Sequence, residues 1–411
     1  MNHNTLLADQ LRQVISSLTP DSTTQDVYNS VEEAFVLAGF RAAVSSTHVR
    51  AILVIKLDEI GDVVLSSAFL RELRRNNPQA HITLIVKDQC RNLVELCPYI
   101  NRLLSFDGLN YLKKHGFFTA LQLTLEFCID HLWSQQYDLC LIPRFDHDMY
   151  LATFLAYLSG AKHRIGYSET VTPWKARNNK GYNQFLTGAL STTAVEHEVV
   201  SNLKLLRYLG GKVAHDQLEV WTGAHDEQLA QTVVPHFPGN TIAISPGAEG
   251  SVRSWPIERY IELAKRLQAD HPIRFVILGA PGEEQPALQF VEAIAGQTIN
   301  LLGKTTLRQS AAILRQCDLY FGRNTGLSHI AAAVDIPVVE ITCQPRTGHA
   351  MHVLSPIRFR PYNNKSVVLQ PDEYLPPCHG NCSAKQPHCI MQIEIEEAYN
   401  AVLTVIADEI E

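Results

Sequence analysis

Asp62 lies in Ile60-Gly61-Asp62-Val63-Val64-Leu65, between the strand-like run Ile52–Leu57 and a helical pattern that continues to Asn76. Gly61 and Asp62 thus put a carboxylate at a strand-to-helix junction, where it can take a proton from an attacking hydroxyl. The same position suits a helix N-cap, typically worth ~0.5–2 kcal/mol, and a helix N-terminus lowers a carboxylate's pKa. A second junction, Gly322-Arg323-Asn324-Thr325-Gly326-Leu327-Ser328-His329, joins the apolar run Leu319–Phe321 to another helical pattern. The first turn of a helix presents N–H groups and a positive dipole end, a natural seat for phosphate. Asn324 can cap this helix, Thr325 adds a hydroxyl, Gly326 lets a ligand approach the backbone, and His329 lies one turn beyond Thr325 on the same face. An ordinary capped helix with a core histidine fits the same residues.

Three more strand ends carry polar groups. Ser245-Pro246-Gly247-Ala248 is followed by Arg253-Ser254-Trp255-Pro256, where a guanidinium can grip phosphate oxygens in a fixed fork, while Trp255 also reads as hydrophobic packing before a helix. Glu283 or Glu284, after Leu278-Gly279-Ala280-Pro281-Gly282, can bind ribose hydroxyls or merely favour a helix start. Lys304 stands at the end of Asn300-Leu301-Leu302 with Thr306 as the next cap. The first strand is not followed by Gly-x-Gly-x-x-Gly, and no full Walker loop is present, which removes the usual hydride-transfer and ATPase readings.

The chain of 411 residues is 46% hydrophobic and 19% charged, enough for two globular domains. A formal charge of −7 without long Lys/Arg blocks excludes broad nucleic-acid binding. No apolar run reaches the ~18–20 residues of a membrane span, and the start lacks a signal-peptide pattern, so the expected location is cytoplasmic. The nine cysteines do not form a dense disulfide framework. Cys378, Cys382 and Cys389 cluster among Pro and His; with Cys343, His379 or His388 they could hold a thiophilic metal, or form a turn of buried thiols.

Helical periodicity over residues 5–45, broken at Thr19-Pro20-Asp21-Ser22, predicts a helical pair ahead of the main fold. From Ala51 on, short apolar runs alternate with amphipathic stretches, the pattern of a parallel sheet covered by helices on both faces. The rhythm stalls over residues 166–197, a long irregular segment, and resumes from Thr241 to Ile341 as a second doubly wound domain. The expected layout is a helical extension (1–48), a first α/β domain (49–225), a second (226–392) and a terminal helix (393–411). Such domains bind ligands at the carboxyl ends of their strands, here across a shared cleft. Lys113-Lys114-His115-Gly116-Phe117-Phe118 reads either as a contact for an anionic lipid surface at the inner face of the membrane or as a solvated helix edge.

Taken in order, Ile52–Leu57 with Ile60–Leu65, Pro246-Gly247-Ala248, Arg253–Pro256, Asn300–Thr305 and Asn324–Ala333 resemble glycosyltransferase family 9, the ADP-heptose heptosyltransferases, over about residues 50–395. The resemblance implies the GT-B fold, two Rossmann-like domains facing a cleft. It implies inverting, metal-independent sugar transfer that needs no cofactor beyond the nucleotide-sugar donor. Asp62 would be the general base, and Thr325, Gly326 and Arg253 would hold the diphosphate with His329 in support. The nucleoside would lie near Glu283 or Glu284 and Gly303-Lys304-Thr305, with Gly61, Ser245, Gly247, Trp255 and Asn324 lining the same substrate site, and the final helix would cross back to the first domain. The implied acceptor is a hydroxyl of lipopolysaccharide core or another cell-envelope glycan or glycolipid. A protein hydroxyl, a sugar-nucleotide-binding protein without catalysis, and an epimerase acting on free sugar nucleotide are the alternatives. Two residues depart from the family pattern: Asn324 stands where Asp is common, and Arg253 where Lys is more frequent.

Overall fold

The computed structural model describes residues 3–37, 49–247, 252–294, 298–380 and 382–408. Ala248 of the second-domain motif, residues 38–48 of the extension, Asn381 and the last residues 409–411 lie outside them. The chain starts with α1 (His3–Ser17) and α2 (Thr24–Leu37). The first lobe follows: β1 (Ala51–Lys56), α3 (Ile60–Val64), α4 (Ser67–Asn76), β2 (His81–Val86), α5 (Asp88–Val94), β3 (Arg102–Ser105) and α6 (Gly108–His131). It continues with β4 (Leu139–Ile142), α7 (Ala152–Leu158), β5 (His163–Tyr167), α8 (Pro173–Asn178), β6 (Gly188–Leu190) and α9 (Glu198–Tyr208). The second lobe holds α10 (Ala224–Val233), β7 (Asn240–Ser245), α11 (Ile257–Asp270), β8 (Ile273–Ile277), α12 (Glu284–Ala293), β9 (Thr298–Asn300) and α13 (Leu307–Leu314). It ends with β10 (Leu319–Arg323), α14 (Gly326–Ala333), β11 (Val338–Ile341), α15 (Pro356–Phe359), β12 (Ser366–Leu369) and α16 (Ile395–Asp408).

Both sheets are parallel and share one topology. The first runs β3-β2-β1-β4-β5-β6 and the second β12-β11-β10-β7-β8-β9, which is the same doubly wound order counted from the other edge. Strands β1 and β4, and β7 and β8, are buried throughout or nearly so, as expected where helices cover both faces of a parallel sheet. In this topology the crevice opens where successive crossovers leave in opposite directions, between β1 and β4 in one lobe and β7 and β10 in the other. Those four strand ends carry Asp58 to Asp62, Arg144, Gly247 and Arg323 to Gly326. The fold therefore brings together the junctions that stood out for their residue types.

Two expectations change. The segment 166–197 is not irregular throughout: the end of β5, α8 and β6 occupy part of it, because Thr172 caps α8 by accepting the Lys175 N–H at 3.0 Å and β6 extends the sheet. Over its described residues the final helix packs on the second domain, not back on the first. Its apolar stripe, Ala398, Tyr399, Val402 and Val405, is buried in the second core against α11 and the β10–β12 side of that sheet. The described part of the extension packs on the first lobe. Leu7, Leu11, Ile15, Val27, Val31 and Phe35 share a core with Leu121, Leu125, Trp133, Phe154 and Tyr157 of the first lobe. Arg12 clamps Glu126 through two bonds of 2.7 Å.

In Lys113–Phe118 the cations stay in solvent, while Phe117 packs edge-on against Phe154 at 5.3 Å. Among the described residues no helix is long and apolar enough to cross a membrane. The docking of the extension is testable at Phe35, which is fully buried with edge contacts to Tyr157 (5.9 Å) and Trp133 (6.5 Å). Phe35→Ala should cost about 3–5 kcal/mol in urea unfolding; a change within 0.5 kcal/mol, roughly the surface level, would refute it.

Candidate functional site

In the first lobe the site grows out of the end of β1. The buried Lys56 ammonium donates to Pro143 O at 2.8 Å and lies 3.4 Å from Asp58 Oδ2, while Arg144 donates to the other Asp58 oxygen. Burial alone would raise the Asp58 carboxyl, but these two cations hold it below the usual range. Asp62 is four residues on, in the first turn of α3. The N-cap position is Glu59, so the capping role expected for Asp62 is not the one it plays. Its carboxyl is pushed up to about 7, first by burial and then by the Asp58 charge, against the pull of Lys56 and Arg144. Two neighbouring carboxylates with pKa values driven apart are the usual mark of one structural and one proton-transferring acid.

The floor beside them is stiff. Asp148 accepts N–H bonds from Tyr150, Ala152 and Thr153 at 2.7–3.1 Å, and Asn179 donates to Asp148 O at 2.9 Å. Lys175 donates to Arg144 O and Phe145 O at 3.3 and 3.2 Å; burial and the Arg144 charge bring its ammonium down to about 8. Lys87 pairs with Glu59 and lies over the Tyr150 ring at 4.4 Å, with Arg144 at 4.7 Å from the same ring.

In the second lobe, Arg323 ends β10. Its guanidinium donates to Glu283 Oε1 at 3.0 Å and to Ser254 Oγ at 3.4 Å. It lies against Gly247, whose φ of +84° favours glycine and where an added Cβ would come within 2.8 Å of Arg323 Nε. Thr325, not Asn324, occupies the N-cap of α14, and its N–H donates to Ser328 Oγ at 3.2 Å. Asn324 instead points its amide inward, donating to Glu340 Oε1 and Phe359 O, both at 3.0 Å. Glu340 is fully buried, and that burial raises its carboxyl to about 7, although the Asn324 bond opposes the rise.

The lobes meet through the starts of α3 and α14. A Cβ on Gly61 would sit 2.5 Å from His329 Cδ2, and one on Gly326 would sit 2.6 Å from Ile60 Cγ2. His329 is therefore wedged between the lobes, and burial lowers its imidazole to about 3, leaving it neutral. Arg358 ties the same interface: it donates to Glu198 Oε1 at 3.2 Å and to Asp146 Oδ2 at 2.7 Å, both in the first lobe. On the far side Arg308 reaches Glu95 at 2.6 Å. Between these ties lies a cleft of about 330 Å³ lined from one side by Asp62, Arg144 and Tyr150 and from the other by Asn324, Thr325, Gly326 and His329.

Of the residues singled out in the sequence, Gly61, Asp62, Asn324, Thr325, Gly326 and His329 share this cleft. Ser245 and Gly247 lie at the end of β7, beside Arg323. Glu283 faces Arg323, whereas Glu284 is exposed and accepts the Gly282 N–H at 2.9 Å, an ordinary helix-start contact. Lys304 is exposed with Nζ 2.9 Å from Asn300 O, and Arg253 is exposed on the turn before α11. Trp255 is not a ligand contact. It is 1% exposed, stacked edge-on with Tyr260 and Phe321, and its indole N–H is donated to Ile393 O at 3.0 Å. Cys382 stands exposed, outside the close group formed by Cys378, His388 and Cys389.

Sequence reasoning passed over Arg144, Arg323, Glu340 and Arg358. For the first two a signal existed, since each is a cation within two residues of the end of a central strand. Glu340 and Arg358 gave none, because a charge in an apolar run shows its partners only in three dimensions.

Residues 129–388 match the sequence model of glycosyltransferase family 9 (heptosyltransferase). The lipopolysaccharide core heptosyltransferase OpsX of Haemophilus influenzae is 25% identical over 324 residues, spanning 78% of this chain and 84% of that protein. Among solved structures, a family 9 glycosyl transferase from Veillonella parvula aligns with TM-score 0.70 at 20% identity, covering 88% of this chain and 98% of its own. The E. coli ADP-heptose LPS heptosyltransferase II aligns with TM-score 0.65 at 19% identity, covering 88% and 100%.

The raised Asp62 pKa has a sign in stability. A carboxyl near 7 in the fold and about 3.9 when unfolded holds its proton only in the native state between those values, so stability is lost as pH rises through about 7. Asp62→Asn, which cannot ionise, should raise the melting temperature at pH 8 and leave it nearly unchanged at pH 4. An equal shift at both pH values would show that Asp62 ionises normally.

Proposed function

Because the chain belongs to glycosyltransferase family 9, the heptosyltransferase family, we propose that it moves a heptose from ADP-heptose to a hydroxyl of a lipopolysaccharide-core glycan, with inversion at the anomeric carbon. The observation that carries this reading is the placement of Asp62 and the α14 N-terminus on opposite walls of one cleft, each at the switch point of its own sheet. Asp62, as carboxylate, takes the proton of the acceptor hydroxyl. The freed oxygen pair attacks the anomeric carbon from the face opposite the nucleotide, and the bond to the diphosphate oxygen breaks. The departing diphosphate gains negative charge where the first-turn N–H groups of α14 and the Arg323 guanidinium are already fixed, so little reorganisation is needed.

The neutral, wedged His329 serves as a spacer and positions α14 rather than exchanging protons, because an imidazole that protonates only near pH 3 is inert at neutrality. Arg144 and Lys56 are engaged with Asp58, so they set the local field without neutralising Asp62 outright. On the acceptor side, Lys87 and Arg144 flank the Tyr150 ring, each paired with a carboxylate, Glu59 and Asp58 respectively. The reading places the transfer in the cytoplasm, at the inner face of the membrane, because a lipid-linked core acceptor presents its glycan there.

The purified protein, given ADP-heptose and a heptose-deficient lipopolysaccharide core, should yield a core heavier by one heptosyl residue. No product with that donor or with any other nucleotide sugar, despite nucleotide binding, would overturn the catalytic reading. Asp62→Asn should lower kcat by about 10²–10⁴ with donor affinity retained, as expected for loss of a general base. Wild-type kcat/KM should climb with pH through about 7, since the base works only when ionised. Arg323→Ala should weaken ADP binding by calorimetry about tenfold or more, a loss of ~1.4 kcal/mol or more for a charge-assisted contact; unchanged affinity would remove Arg323 from the diphosphate site.

A further inference from the structure

Outside the cleft, the loop between β12 and α16 brings Cys378, His388 and Cys389 together, with their ligand atoms all within 4.8 Å of one another. The His388 Nδ1 atom is 3.9 Å from Cys378 Sγ and 3.6 Å from Cys389 Sγ. With metal–sulfur bonds of about 2.3 Å and metal–nitrogen bonds of about 2.0–2.1 Å, the sulfur-to-nitrogen edge of a tetrahedron is roughly 3.6 Å. The observed separations are thus those of ligands around a common centre, too long for strong hydrogen bonds between the groups.

The group is enclosed by the loop. Cys378 and Cys389 are buried, and Cys389 Sγ accepts the Leu375 N–H at 3.4 Å. The Ser383 hydroxyl stands 4.0 Å from Cys378 Sγ. Backbone donors aimed at sulfur are the outer support that metal-bound cysteines require. Cys382, exposed four residues after Cys378 on the same loop, is the further thiol available for the fourth vertex.

We propose that Cys378, His388 and Cys389 form a structural site for a tetrahedral thiophilic ion of the zinc type, closed by a fourth thiol. The ion ties the loop to the donor side of the second lobe. Just past the site, Ile393 O accepts from Trp255 Nε1 at 3.0 Å and from Arg259 at 2.6 Å, and Met391 O accepts from Arg259 at 3.0 Å. Trp255 directly follows the turn that carries Arg253 and Ser254, the latter a partner of Arg323.

Full-length protein purified under reducing conditions without chelator should carry about one equivalent of zinc, or of another thiophilic ion, by plasma mass spectrometry. Prolonged chelation should remove it and lower the melting temperature, and added zinc should restore both. Cobalt(II) added to the stripped protein should give a thiolate-to-metal charge-transfer band in the near ultraviolet and the visible bands of a tetrahedral ion, which keeps the test independent of whether variants fold. Cys378→Ser with Cys389→Ser should abolish those bands. The proposal fails if the untreated protein holds under a tenth of an equivalent of any transition metal and cobalt gives no band, or if Cys378 and Cys389 are found joined as a disulfide in the reduced preparation.

Discussion

The absence of a side chain at Gly61 and Gly326 is the constraint on which the cleft depends. Each glycine leaves less than 3 Å between a would-be Cβ and an atom of the opposite lobe, His329 Cδ2 in one case and Ile60 Cγ2 in the other. The two helix starts therefore touch, and everything at those starts is drawn to within a few ångströms of the lobe interface. Any larger residue at either point must push the lobes apart or displace a buried imidazole. The charged groups that flank the contact then act on one enclosed volume instead of two open surfaces, and in such a volume charges interact more strongly than in water.

Within that volume, cations and carboxylates are matched unequally. Asp58 has Lys56 and Arg144 directly against it, and Asp62 has neither as a bonded partner. A helix start should lower the carboxyl of Asp62, yet burial and the Asp58 charge outweigh that effect and leave it high. Across the cleft, Glu340 is likewise buried and raised, and Asn324 is the side chain that donates to it. An aspartate at position 324 would set a second carboxyl against Glu340 with a proton to share between them. The amide removes that conflict: it offers a donor at every pH, so the strand end beneath the N-terminus of α14 keeps one arrangement. This gives a physical reason for the asparagine at position 324.

The doubly wound architecture was legible in the alternation of apolar runs and amphipathic stretches, because burial on both faces leaves continuous Val, Ile and Leu in each central strand. The identity of the cleft residues was legible too, since strand ends at a switch point are where such folds bind ligands and Asp62, Thr325 and Gly326 stand there in the linear chain. What did not show was pairing at long range. Trp255 read either as lining the substrate site or as packing before a helix, and the choice rests on an indole N–H that finds a carbonyl 138 residues away, at Ile393. The last helix carries an amphipathic stripe that fits either lobe, and only the matching surface of α11 and the second sheet decides. Arg323 was visible as a cation after an apolar run, yet its role depends on Glu283 and Ser254, which come from two other strand ends.

Arg358 shows how the fit of the lobes and the proton affinity of the base are joined. Its guanidinium is buried and bonds two carboxylates on separate elements, Asp146 and Glu198, while lying near the rings of Phe145 and Phe359 at 5.2 and 4.7 Å. A planar fork with five donors can serve both acids at once, which an ammonium cannot do with the same geometry. Glu198 is also one of the charges that raise the carboxyl of Asp62. The guanidinium that fixes how the lobes meet therefore also compensates a charge acting on the base, a smaller influence on Asp62 than the burial that the closed interface provides.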